Sequence, residues 1–230
     1  MSPRRRAPAT SAAGGAGLVV LGAFFVQWSA TIAVPAIHAV GGLAVSGWRF
    51  LFGALVLMIL VRPKIGAWTR DQWRGAVILG VATGLMNLSF FQAIGRIHLG
   101  TAVAIEYMGP FLVAVLARRT WRHLAFGLVA VAGVLALARP GSGLTGIGAL
   151  YAAGAGAGWA AYTYASHGVG RLIDGYGGLA LAMSVSSLIT VWIIFPSMGT
   201  VASTPSLLGR FLVMAIMATV IGFSCEMVSK

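Results

Sequence analysis

A chain of 230 residues that is 59% hydrophobic and 9% charged, with mean hydropathy +0.92, is not an ordinary soluble domain, where about a quarter of residues carry charge. It belongs to the polytopic membrane class. The net charge of +12 comes from 14 Arg and 2 Lys set between apolar runs; this pattern marks topology rather than a nucleic-acid-binding face.

Arg4, Arg5 and Arg6 precede an apolar run over 18–40. The run is longer than a signal-peptide core and more apolar runs follow, so it reads as an uncleaved first helix. A span needs about 20 mostly apolar residues. Eight runs qualify, at about 17–39, 43–61, 75–94, 100–117, 121–138, 144–165, 177–197 and 207–227. The expected fold is all-α, a polytopic helical bundle behind a basic N-terminus over 1–16. Short connections make neighbours antiparallel. One side receives Arg4, Arg5, Arg6, Arg62, Lys64, Arg70, Arg74, Arg118, Arg119, Arg122, Arg171 and Lys230. The other receives Arg49, Arg96, Arg139 and Arg210. The positive-inside rule then places both termini in the cytoplasm.

The first span carries Gln27, Thr31 and Pro35 at four-residue spacing, a polar stripe beside Trp28. It lines a cavity or bonds a neighbouring helix. Arg49 lies about one turn inside the second span, where it snorkels outward or turns in to pair with a carboxylate. The third holds Gly80 and Gly84, a small-xxx-small pattern for close helix approach, and then Asn87, Ser89 and Gln92.

The fourth span, Gly100-Thr-Ala-Val-Ala-Ile-Glu106-Tyr-Met-Gly-Pro110 and on to Ala117, carries the chemistry. A carboxylate at mid-depth costs roughly 2.5–3.5 kcal/mol and needs a cavity or a partner. Pro110 has no backbone N–H and frees the carbonyl of Glu106, so Gly109-Pro110 is expected to break or bend the helix beside the site. Glu106 is a ligand for whatever crosses, or a buried carboxylate paired to Arg49. Tyr107 points elsewhere on the wheel as packing.

The fifth span has no polar group and reads as peripheral; Arg139-Pro140 with Gly141 and Gly143 forms a turn after it. The sixth is Gly- and Ala-rich, with Gly154 and Gly158 four apart and Trp159 and Tyr162 three apart; it is a tight packing face or an aromatic cavity wall. Ser184, Ser186, Ser187 and Thr190 in the seventh are helix glue, and Glu226 in the eighth is solvated near its end. Cys225 is the single cysteine, so no internal disulfide forms.

Trp28-Ser-Ala-Thr31 and Trp159-Ala-Ala-Tyr162 echo one another, each followed by a His, at 38 and 167. Spans six to eight thus repeat spans one to three. With five spans per copy, the two copies are inverted in the membrane, the plan of secondary transporters.

These residues carry a resemblance. Trp48-Arg49-Phe50, Arg62-Pro63, the run from Gly100 to Pro110, Arg118-Arg119, Arg139-Pro140, Trp159 to Tyr162, and Glu226 resemble the EamA-type ten-span carriers of the drug/metabolite transporter superfamily, most of all the threonine/homoserine exporter group. The resemblance covers essentially the whole chain. It implies a first five-span repeat over 17–138 and an incomplete second repeat over 144–230 with three spans, a C-terminally truncated form. It implies efflux of small amino acids or related metabolites across a bacterial inner membrane. Glu106 would alternate between a proton and a substrate ammonium. Asn87, Gln92, Gln27, Thr31, Trp28, Trp159, Tyr162 and Arg49 would form the walls, and Gly109-Pro110 the unwound segment. The implied partners are the small-molecule substrate and the bilayer, with a homo-oligomer or the missing C-terminal helices in trans. The alternative is an inactive or partner-dependent carrier acting as a membrane structural protein. A membrane enzyme is disfavoured: there is no HExxH, no Asp pair within a span, no Cys/His cluster and no Lys inside a span. No cofactor or metal is called for.

Overall fold

In the computed structural model the described residues are 12–118, 121–137, 144–173 and 175–222. Seven long helices run in order: α1 (Ala12–Val40), α2 (Gly42–Val61), α3 (Arg70–Ile94), α4 (Leu99–Arg118), α5 (Trp121–Leu137), α6 (Gly146–Leu172) and α7 (Gly177–Ile194). A 3-10 turn, Phe195–Ser197, leads into α8 (Met198–Ser203) and α9 (Pro205–Met214), and α9 continues as a π-helical stretch, Ala215–Gly222. Within the described residues, each of the eight apolar runs falls on helix. The expected turn around Arg139 to Gly143, and Cys225 and Glu226, lie outside the described residues.

The edges differ from expectation in two places. Helix α1 starts at Ala12, inside the stretch expected as a basic tail. Helix α6 runs to Leu172 rather than 165, because nothing between Tyr164 and Arg171 breaks it. Among the described residues four helical stretches are long and apolar enough to cross a membrane: Val20–Val40, Gly42–Val61, Arg70–Ile94 and Gly177–Ser203. Leu99–Val113 and Pro205–Ala218 are shorter apolar stretches. Helix α6, with 27 residues, reaches about 40 Å at 1.5 Å per residue, but its many glycines and alanines dilute its hydropathy.

The surface is built for lipid. Leu55, Ile59, Leu60, Ile78, Leu85, Leu188 and Trp192 are exposed, while Ser46, Thr83, Asn87, Ser186 and Thr190 are buried. Polar groups turned inward and aliphatic groups outward fit a chain whose solvent is hydrocarbon.

Small residues decide which helices touch. A Cβ on Gly80 of α3 would stand 2.6 Å from the carbonyl of Ala182 on α7, and the Ser186 hydroxyl donates to the Gly80 carbonyl at 2.7 Å. The small-xxx-small face of α3 therefore meets α7. Helix α6 uses its glycines on two faces: Gly154 and Gly158 lie against Ser89 and Met86 of α3, and Gly156 lies against α4. The resulting packing sets α3 on α6 and α7, α2 on α7, α4 on α6, and α5 on α4; α9 and the π stretch pack on α1 and α2. The α2–α3 connection is closed by a capping box, with the Thr69 hydroxyl accepting from the Gln72 N–H and the Gln72 side chain accepting from the Thr69 N–H.

Candidate functional site

The site lies where α1, α2, α3, α4 and α6 converge. A cavity of about 40 Å³ is lined by Gln27 and Ser29 from α1, Arg49 from α2, Asn87, Phe90 and Phe91 from α3, Glu106 from α4 and Trp159 from α6. At 10–15 Å³ per water, this is room for a few waters and not for an amino acid.

Glu106 is 6% exposed and Arg49 5% exposed. Both side chains line the same cavity, so the carboxyl group faces protein rather than lipid at depth. Arg49, which could snorkel or turn in, turns in. Its Nη1 donates to the Oδ1 of Asn87, and the Nδ2 of Asn87 donates to the Thr83 carbonyl at 3.0 Å. That second bond fixes the amide with its oxygen toward the guanidinium. Asn87 is therefore the immediate partner of Arg49, where a direct Arg49–Glu106 pair was one expectation. The guanidinium carbon lies 6.0 Å and 5.7 Å from the ring centres of Phe50 and Phe91, within cation–π range. The Nε of Arg49 is buried and has no hydrogen-bond partner among the described residues; leaving a buried donor bare costs about 1–3 kcal/mol, more for a charged group.

The fourth helix does not break. Helix α4 runs through Gly109 and Pro110 without interruption, which corrects the expected unwound segment. Pro110 still deprives the Glu106 carbonyl of its helical donor. That oxygen is covered by the neighbour instead: a Cβ on Gly156 would stand 2.9 Å from it, and a Cβ on Gly109 would collide with the Gly156 carbonyl. Two glycines let α6 close over the freed carbonyl and shield it from lipid while α4 stays helical.

The other expected wall residues divide. Gln27 and Trp159 line the cavity with Glu106 and Asn87. Trp28 is 53% exposed and packs on Phe24; one residue on a helix is about 100° round, so Gln27 facing in turns Trp28 out. Thr31 is exposed and bonds back to the Gln27 carbonyl at 3.2 Å, because a four-residue row drifts about 40° per step off the buried face. Tyr162 is 2% exposed and sits in the core with Met86, Val169 and Met183 rather than in the cavity. Gln92 lies in a separate cleft of about 490 Å³ with Gly41, Gly42, Ser197 and Thr200, and accepts from Arg96; five residues beyond Asn87, it faces a different way.

Sequence reading missed two groups. Tyr107, expected to point elsewhere, stacks edge-on against Trp159 with ring centres 4.6 Å apart, and its hydroxyl accepts from the Nε2 of Gln27 at 3.3 Å. Ser29 lines the cavity and donates to the Met214 carbonyl at 3.4 Å, where α9 passes into its π stretch. A tyrosine next to an intramembrane acid was the available signal for the first; nothing local marks the second.

The EamA-like transporter family matches residues 13–139, which take in α1 to α5. The threonine/homoserine exporter RhtA of Salmonella typhimurium strain SL1344 is 30% identical over 212 residues, covering 89% of this chain and 70% of the relative. RhtA of Escherichia coli strain K12 is 29% identical over 207 residues, with the same coverage of each chain. No solved structure matches.

Proposed function

The chain belongs to the EamA-like transporter family, and on that premise we propose that it exports small amino acids or related metabolites across the bacterial inner membrane, driven by protons taken up at Glu106. The observation that carries this is the meeting of Glu106, Asn87 and Arg49 in one buried cavity among five helices, in a chain similar to exporters named for threonine and homoserine. Intramembrane acids facing a bundle interior mark proton and substrate paths. Glu106 holds a proton in one stage and the substrate ammonium in another. The cavity, at about 40 Å³, must widen to admit an amino acid.

Both termini lie in the cytoplasm in this reading, from the bias of Arg and Lys. The halves are inverted copies. Exchanging α1 for α6, α2 for α7 and α3 for α9 with its π stretch maps the packing of α3 on α6 onto that of the last helix on α1.

One contact supports a second reading, in which the carrier works only with helices supplied in trans. Trp159 of α6 is covered by Tyr107 of α4, whereas Trp28, its partner in the sequence echo, is 53% exposed on α1. A helix from another chain laid on Val20, Phe24 and Trp28 would restore the symmetry.

The test is flux in liposomes carrying the purified chain and loaded with labelled threonine. Export driven by a pH gradient supports the first reading. No flux from the chain alone, with flux restored by co-reconstituted helices, supports the second. Absence of flux in both arms overturns both.

A further inference from the structure

We infer that Arg49 is the anchor for the substrate's carboxylate, so that the site recognises its cargo as a zwitterion, with the carboxylate on Arg49 and the ammonium on Glu106. This deepens the amino-acid reading above and rests on it. A guanidinium kept only to neutralise Glu106 would spend its hydrogen bonds on that carboxylate. Here Nη1 donates instead to the amide oxygen of Asn87, a neutral acceptor, and the buried Nε–H has no acceptor among the described residues. Buried polar groups are almost always paired, and one left bare calls for an explanation.

The position of the bare donor is informative. Nε and Nη2 form the side-on edge of the guanidinium, the edge that takes a carboxylate with two parallel bonds. Asn87 occupies the other end and is itself held by the Thr83 carbonyl. Phe50 and Phe91 flank the group. Arg49 is thus braced on its Nη1 side and bare at Nε. The lining it belongs to also contains Glu106, the one acidic residue there. A cavity with a guanidinium and a carboxyl group on different helices matches the two ends of an α-amino acid. Asn87 is a positioning residue that holds the guanidinium from its Nη1 end.

The test is competition binding on the full chain in lipid nanodiscs, with labelled L-threonine displaced by unlabelled L-threonine or by L-threonine amide, which keeps the ammonium and lacks the carboxylate. In the unmodified chain the acid is expected to compete about tenfold or more better than the amide. In Arg49→Gln that preference falls to near one, because the acid weakens while the amide holds its affinity; retained amide binding shows that the variant is folded. Arg49→Lys keeps the charge without the two-toothed edge, and its preference falls between the two. If Arg49→Gln binds no ligand, Arg49→Lys decides by the same ratio. A full acid preference in Arg49→Gln, or in Arg49→Lys where that variant decides, overturns the anchor while leaving the amino-acid reading intact. Equal competition by acid and amide in the unmodified chain does the same. No binding of either ligand by the unmodified chain overturns both.

Discussion

Gly109 of α4 and Gly156 of α6 meet backbone to backbone at the turn where Pro110 leaves the Glu106 carbonyl without a helical donor. A Cβ at either position presses on backbone, which cannot swing aside. Gly109→Ala and Gly156→Ala should each lower stability by about 1–3 kcal/mol, the range for overpacking. They should also push α4 away from α6 and move Glu106. Gly100→Ala and Gly168→Ala, where nothing lies within 4 Å, should be neutral or slightly stabilising, since alanine is worth up to about 1 kcal/mol over glycine in a helix. Thermal melts of the four variants in one detergent check the contrast; equal losses in all four would mean that the α4–α6 contact is not this close.

Trp48 ties three elements together. Its ring stacks on Phe211 of α9 with centres 5.9 Å apart and 7° between planes, and its Nε1–H donates to the Ser197 hydroxyl at 2.9 Å, at the turn between α7 and α8. Ser197→Ala leaves a buried indole N–H without an acceptor and should cost about 1–3 kcal/mol. Trp48→Phe removes donor and ring area together. The double variant Trp48→Phe with Ser197→Ala should therefore cost less than the two singles summed. A double-mutant cycle by thermal melts measures the coupling.

The echo between Trp28 and Trp159 shows where sequence stops being informative. The helices themselves were legible, because runs of about 20 apolar residues bounded by Arg and Lys need only composition and length. Glu106, Asn87 and Arg49 were legible as candidates because polar groups at membrane depth are costly. What composition could not say is which face of a helix finds a neighbour. Trp28 and Trp159 have similar local sequence, yet one faces out at 53% exposure and the other packs on Tyr107. Gln92 and Asn87 look equivalent on paper and lie in different clefts. Pro110 was read as a break because the covering glycine, Gly156, is 46 residues away in sequence. Trp159→Ala should cost no more than about 3 kcal/mol, the low end for a tryptophan, because its ring is only partly buried, while Trp28→Ala should change the melt little. A larger loss at Trp28 would show that its face is covered in the membrane.

Asn87→Leu tests the brace rather than the anchor. The substitution keeps the branched shape, though in a larger side chain, and removes the side-chain oxygen to which Arg49 Nη1 donates. Hydrogen bonds to charged groups are worth about 1.5–3 kcal/mol, so the melt should fall by that much. Asn87→Asp offers an acceptor with added charge and should recover most of the loss. If leucine is tolerated without cost, Arg49 has another acceptor and the site is less tightly held than its geometry implies.

Glu106→Gln separates coupling from architecture. Glutamine matches glutamate in size and keeps a carbonyl oxygen, so packing against α6 should survive and the melt should move little. What is lost is the group that can carry a proton at one stage and an anionic oxygen at the next. Two outcomes are expected in liposomes. Export driven by a pH gradient falls to background, because the cavity wall loses the carboxyl group that releases a proton to the other side. Binding of labelled threonine weakens, because the ammonium loses its counter-charge, a loss of about 1–3 kcal/mol for a charge-assisted bond. Exchange of threonine for threonine at equal pH on both sides, which moves no net proton, should survive at a reduced rate. That pattern of exchange without uphill export is the signature of a carrier that has kept its moving parts and lost its coupling residue. Undiminished pH-driven export by Glu106→Gln would remove Glu106 from the mechanism and leave it as a structural partner of Arg49.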